Sequence, residues 1–331
     1  MKSPSWRPLA ALITTALITT ALLGSTVSPA AAAPEKIVLS KLSKGAAPAT
    51  PYVVGQVLVD GEISVDLPKG VTRIVGKVLD GYLVQGYDSK RDKEVVVRVT
   101  PQGARKTLVR GGSLSDATLS DDGTSFVASK SSRSPRPTGS TVLRRYDAGT
   151  GDVTLKTQID GYGRVLDYDG SVAIVGGSAP VGTQAWDVLG NKTVRVLEQA
   201  GYEADLATDR LATFTKDPYQ GGCTAVSRLS NPSKVVWRSC AEAVEAWSPD
   251  GTRIATTHIL ADGIGPNRFT LRKISGRKLG VYDAPAYFGR IWFEDGTHVL
   301  ADTFAKTKGA VVRCDSGGCE RATAIKAHKT P

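Results

Sequence analysis

The segment WSPDGTRIATT (247–257) joins the end of an apolar strand to an alternating strand through a tight turn, and versions of it return along the chain. LSDDGTSFVAS (119–129) and WFEDGTHVLAD (292–302) follow the same plan, and LDYDGSVAIVG (166–176) is a looser copy. VLDGYLVQG (78–86) and LATDRLATF (206–214) are degraded ones. Anchored on the turn, the copies fall at Gly81, Gly123, Gly170, Arg210, Gly251 and Gly296, with spacings of 42, 47, 40, 41 and 45 residues. A strand-turn-strand unit repeating at such a period is the mark of propeller blades. The turn chemistry accounts for the residues. Ser248 can bond nearby backbone, Pro249 presets φ, and Gly251 can take the left-handed conformation that closes a hairpin.

A second series of turns recurs half a period later: TPQG (100–103), DAGTG (147–151), DVLGN (187–191), SNPS (230–233), ISG (274–276) and DSGG (315–318). Two turns per period give four strands per repeat, the content of one blade. The expected fold is therefore an all-β propeller of six four-stranded blades over about 67–323, with seven blades as the alternative. An extra hairpin, YVVGQVLVDGEISVDL (52–67), is left over and is expected to pair with a terminal blade and help close the ring. No helical pattern of useful length is present.

Around this core lie three segments of different character. Lys2 and Arg7 precede an uncharged apolar run (9–23), followed by small residues, which is the layout of a secretory signal peptide over 1–33. The run is too short for a membrane span, which needs about 20 residues, and no second apolar segment of that length follows. Residues 34–51 are expected to form a flexible leader, 52–324 the propeller, and 325–331 a disordered basic tail. The formal charge of +10 falls to +8 once Lys2 and Arg7 are removed, a balance that suits either plain solubility or an anionic partner.

The four cysteines fit an oxidising compartment. Cys223 and Cys240 lie symmetrically about Asn231 and Pro232, and Cys314 and Cys319 about Ser316 and Gly317. Residues directly opposite in an antiparallel pair come close enough for a disulfide. The pairs Cys223–Cys240 and Cys314–Cys319 are therefore expected, each closing the outer hairpin of one blade. The rival reading, a four-thiolate metal site, would need hairpins two blades apart to meet.

The SPDGTRIA and DGTHVLA segments resemble the WD40-like repeat of TolB-type β-propellers. That resemblance implies an exported binding platform with a single propeller and says little about activity, because the motif is structural. The separate N-terminal domain carried by TolB itself has no counterpart here. Sialidase Asp-boxes space Asp and Gly differently, and WD40 repeats are matched only by AWD (185–187).

Chemistry is sparse. No Gly-x-Ser-x-Gly elbow and no phosphate loop are present, and His258 and His298 fall at different positions of their repeats, so no metal or cofactor is expected. Counting back from the turn glycines places Tyr162, Tyr202 and Phe288, with Arg164, Glu245 and Arg290, at the mouth of the channel on the face where the chain enters each blade. These six are the candidate binding residues. The alternative is that the rings pack between blades and the charges pair among themselves. The loops DSKRDK (88–93), KSSRSPRPTG (130–139) and FAKTKG (304–309) would make that rim basic. The expectation is an exported, monomeric, non-catalytic module binding a protein or an anionic envelope polymer and not nucleic acid. The alternative is a secreted propeller enzyme, a hydrolase or lyase acting on a glycan or related small substrate.

Overall fold

The computed structural model describes residues 33–112, 114, 117–132 and 139–328. The expected signal peptide lies outside them but for its last residue, as does most of the 130–139 loop. The described chain is all-β, its one helical element being a single 3-10 turn at Pro218–Gln220. No helix among the described residues is long and apolar enough to cross a membrane.

The strands form seven separate sheets, one after another along the chain. The six repeats of the sequence are all present. Their first strands are Val71–Val78, Thr118–Leu119, Gly163–Tyr168, Ala200–Asp205, Glu242–Trp247 and Tyr287–Phe293, each opening an antiparallel four-stranded meander. We number these blades 2 to 7. The count is therefore seven, the alternative the sequence left open. The leftover segment does not join a terminal blade, because Ile63–Asp66 supplies a third strand beside Tyr52–Val54 and Val57–Asp60 and the three make a sheet of their own, blade 1. Seven apolar clusters among the described residues each span two neighbouring blades, and one of them joins Tyr52 of blade 1 to Trp292, Leu300 and Val311 of blade 7. The ring is closed.

We call upper the face where the chain enters the first strands, and lower the face bearing the first turns. Blade 1 follows the strand directions of its neighbours from their second strand onward. Gln56 bonds the Val71 carbonyl at the upper end of blade 2, while Asp60 meets Lys77 and Tyr82 at the lower end. Tyr52–Val54, antiparallel to Val57–Asp60, thus rises where every other inner strand descends. Blade 1 holds the second, third and fourth strands of a blade and lacks the innermost.

The repeated turn folds as its chemistry demands. The Asp250 carboxylate accepts from the Ser248 hydroxyl (2.6 Å) and from the Thr252 backbone and hydroxyl, and Gly251 sits at φ 64°. Ser120, Asp122, Gly123 and Thr124 repeat the arrangement in blade 3.

Both flanking segments depart from expectation. The leader is packed, not loose. Glu35–Lys36 pairs in parallel with the outer strand of blade 6, Ile37 and Leu39 are buried in the cluster between blades 6 and 7, and Lys44 bridges to Arg321. Alternating apolar residues in IVLSKL (37–42) give it a face to bury. The tail is ordered as far as His328, with Lys326–Ala327 paired to Lys308 and Gly309.

Candidate functional site

The propeller axis is lined by the first strands, and in five blades that strand carries a bulge. The register slips between Ile74 and Gly76, Val165 and Asp167, Gly201 and Glu203, Val244 and Ala246, and Phe288 and Ile291. An extra residue breaks the in-out alternation and re-aims the side chains beside it. A cavity of about 870 Å³ occupies the lower half of the channel. Five carboxylates line it from four consecutive blades: Asp121, Asp167, Glu203, Asp205 and Glu245. Three cations, Arg73, Lys77 and Arg290, come from the blades flanking blade 1, where the innermost strand is missing. The channel is electrically divided, acid on one side and base on the other.

The cations are largely engaged. Lys77 pairs with Asp60 at 2.7 Å, Arg73 donates to Gln85 and to the Ala117 carbonyl, and Arg290 lies 4.7 Å from the centre of the Trp292 ring. Desolvation pulls the Arg290 guanidinium below its ordinary value. The acids are held by fewer donors. Burial pushes Glu203 up to about 8, opposed by Arg164 and Arg73 and reinforced by Glu245 and Asp167. Burial pushes Asp167 up to about 6, although the backbone N–H groups of Leu206 (2.6 Å) and Tyr168 (2.8 Å) donate to it. Glu245 and Asp121 are also raised, chiefly by desolvation. Such displaced carboxyls arise where charge is left partly uncompensated. The indole N–H of Trp247, another lining residue, is buried without a partner. Among the described residues no group of three or more His, Cys, Asp or Glu side chains is arranged to hold a metal ion.

The structure separates the six candidate residues. Glu245 and Arg290 line the channel cavity. Arg164 lies beside it, donating to the Tyr202 carbonyl and acting on Glu203 and Glu245. Tyr202 is stacked on Phe214 at 4.0 Å, and its hydroxyl joins Thr224 of its own blade to the Val244 N–H of the next, so it is a tie between blades. Phe288 is fully buried against Phe269 and cannot meet a ligand. Tyr162 is exposed on the upper face beside Gly139. The rings, then, are mostly packing residues, whereas Glu245 and Arg290 face the cavity.

Sequence reasoning missed Asp121, Asp167, Glu203 and Asp205. Counting back from a glycine assumes turns of equal length, yet two residues separate Val78 from Gly81, four separate Asp205 from Arg210, and six separate Trp247 from Ile254. The bulges shift the count again. The Asp and Glu of VLDYD and YEAD, recurring beside first turns, were the available signal.

The disulfides are as expected. Cys223–Cys240 and Cys314–Cys319 are both formed, the second between directly opposed residues of the outer hairpin of blade 7.

The sequence matches no described protein family and no curated protein sequence. The fold has many counterparts among solved structures. The Pyrococcus horikoshii acylaminoacyl peptidase superposes with a TM-score of 0.53 at 9% identity, over 85% of this chain and 52% of that one, so the chain spans about half the length of that peptidase. The Vibrio parahaemolyticus oligogalacturonate lyase gives 0.55 at 11% identity, over 78% and 82%. Kluyvelomyces marxianus Hsv2 gives 0.50 at 11%, over 82% and 90%. At such identities the likeness is one of fold.

Proposed function

We propose that the protein is an exported, non-catalytic binding module whose channel receives a basic segment of a protein partner. One observation carries this reading: five carboxylates converge on a cavity that offers only three cations, two of them already held by Asp60 and Trp292. A cationic side chain entering the cavity would pair with groups that burial leaves uncompensated, releasing protons from Glu203 and Asp167 as it does so. The two disulfides and the TolB-like repeat support export and a platform role. An anionic envelope polymer, the other partner suggested by the net charge, would be repelled by the acid side and is left to the outer loops of the upper face. Trp247 and Trp292 line the cavity and provide a fluorescence signal. Oligolysine should quench it with an affinity that rises as pH increases from 6 to 8, and oligoglutamate should not. Quenching by oligoglutamate alone would overturn the proposal.

A second reading has one observation in its favour. A carboxyl near 8, such as Glu203, is poised to act as a general acid at neutral pH, and the oligogalacturonate lyase shares the fold. Turnover of a uronate polymer by the mature chain, lost in Glu203→Gln, would replace binding by catalysis.

A further inference from the structure

Above the Tyr52–Trp292 contact, the seam between blades 7 and 1 opens into a second cavity of about 380 Å³. Its walls are mostly apolar: Val53 and Val54 from blade 1, and Phe304, Ala310 and Val311 from blade 7. One carboxylate, Asp302, stands in this lining. It accepts a hydrogen bond from the Arg290 backbone N–H, and no side chain among the described residues donates to it. The Arg290 guanidinium acts on it electrostatically and lies over the Trp292 ring. Desolvation accordingly lifts the Asp302 carboxyl to about 6.

The C-terminal segment covers the upper end. Lys326–Ala327 extends the sheet beside Lys308 and Gly309, and the His328 backbone N–H donates to the Thr307 carbonyl. The His328 ring lies 4.2 Å from that of Phe304, with Nε2 2.9 Å from the Tyr287 hydroxyl.

We infer that this seam cavity binds a small organic ammonium ion, whose apolar or aromatic body fills the pocket and whose charged nitrogen meets Asp302. The volume falls within the range of small-molecule pockets, about 300–1,000 Å³. A wholly apolar ligand would leave the carboxylate desolvated with only the Arg290 backbone donor, which is costly, and an anionic one would face it directly. An ammonium group satisfies it. His328 is already engaged by Tyr287 and Phe304, and Lys326 is exposed to solvent. The site is separate from the channel and does not depend on the reading proposed for it.

Calorimetric titration with phenethylammonium, phenethyl alcohol and hydrocinnamate tests the inference, since the three share a skeleton and differ in charge. The ammonium should bind at least ten-fold more tightly than the alcohol, and the carboxylate not measurably. Asp302→Asn should erase the preference, Val54→Phe should abolish all binding by filling the cavity, since Val54 lines it from the seam side, and Glu203→Gln in the channel should change nothing. Absence of binding, equal binding of ammonium and alcohol, or ammonium binding that survives Asp302→Asn but fails in Glu203→Gln would each overturn it. Should Val54→Phe not fold, Asp302→Asn keeps the native shape and decides the matter.

Discussion

The seam between blades 6 and 7 and the seam between blades 7 and 1 solve the same packing problem by different means. Between blades 6 and 7 the chain itself is the link, crossing in three residues from Asp283 to Tyr287. The interface there is a large apolar core in which Phe269 and Phe288 meet edge to face at 4.9 Å. Between blades 7 and 1 no short linker joins strand to strand and, among the described residues, no strand is shared. The buried core shrinks to Tyr52, Trp292, Leu300, Val311 and Ala322, with a cavity above it. The leader makes up the deficit. It runs from the edge of blade 6 past blade 7, where Arg313 donates to the Ala46 and Ala47 carbonyls, and the Trp292 indole donates to Thr50 as the chain enters blade 1. A propeller without a shared closing strand is held by a strap, and the looser fit leaves room for a ligand.

Four experiments would break or sharpen this contrast. The largest effect should come from deleting residues 34–49. Loss of the buried Ile37 and Leu39 alone removes about 5 kcal/mol, and hydrogen exchange should quicken at Val53 before it does in blades 3 to 5. An unchanged denaturation midpoint would show that the strap does not close the ring.

Next is Arg313→Ala. Arg313 contacts Glu294 at 2.5 Å and Glu320 at 2.6 Å, with the Glu294 side chain only 6% exposed. Removing one partner of such a pair costs about 4 kcal/mol, measurable by urea unfolding, and Glu294→Gln in the same chain should recover part of it. Burial works to raise the Glu294 carboxyl, but Arg313 holds it below its ordinary value. Its contribution is therefore present above the unfolded-state value and fades as pH falls through the folded one. The wild type should lose this increment on acidification, and Arg313→Ala should have none to lose.

The disulfides rank third. Cys223 and Cys240 are 17 residues apart and Cys314 and Cys319 are 5 apart. Chain entropy gives about 3 kcal/mol for the first and about 2 kcal/mol for the second. Replacing each pair by serine should reproduce that order. If the shorter bridge matters more, blade 7 depends on its staple because its seam is weak.

Smallest, and of opposite sign, is Glu203→Gln. Its carboxyl sits near 8 in the folded chain, so between the ordinary value and 8 the folded state holds a proton that the unfolded state has lost. Stability from this group therefore falls as pH rises through that interval. The variant should gain roughly 2 kcal/mol at pH 8, after allowance for screening by channel water, and nothing at pH 4. Its seam should be untouched, which exchange at Val53 would verify.

Much of the fold was legible because it rests on local chemistry. The Ser248-to-Gly251 turn needs a small polar acceptor and a left-handed glycine wherever it occurs, and the alternating residues after it can only be a half-buried strand. The cysteine pairings followed from hairpin symmetry alone. Glu203 and Asp167 were not legible, because a bulge decides which way they point and bulges leave no clear trace in residue type. Phe288 illustrates the converse. An aromatic beside an arginine looks like a recognition pair in one dimension and proves to be core in three.

The sequence by itself determined the all-β repeat, its four strands per unit and both disulfides, since each depends on residues near one another along the chain. Only the tertiary structure decided that the ring has seven members, that the leader straps it shut, and that five acids face the channel and one the seam. Those outcomes depend on turn lengths, bulges and contacts between segments more than two hundred residues apart, such as Thr50 with Trp292, and no local pattern encodes them.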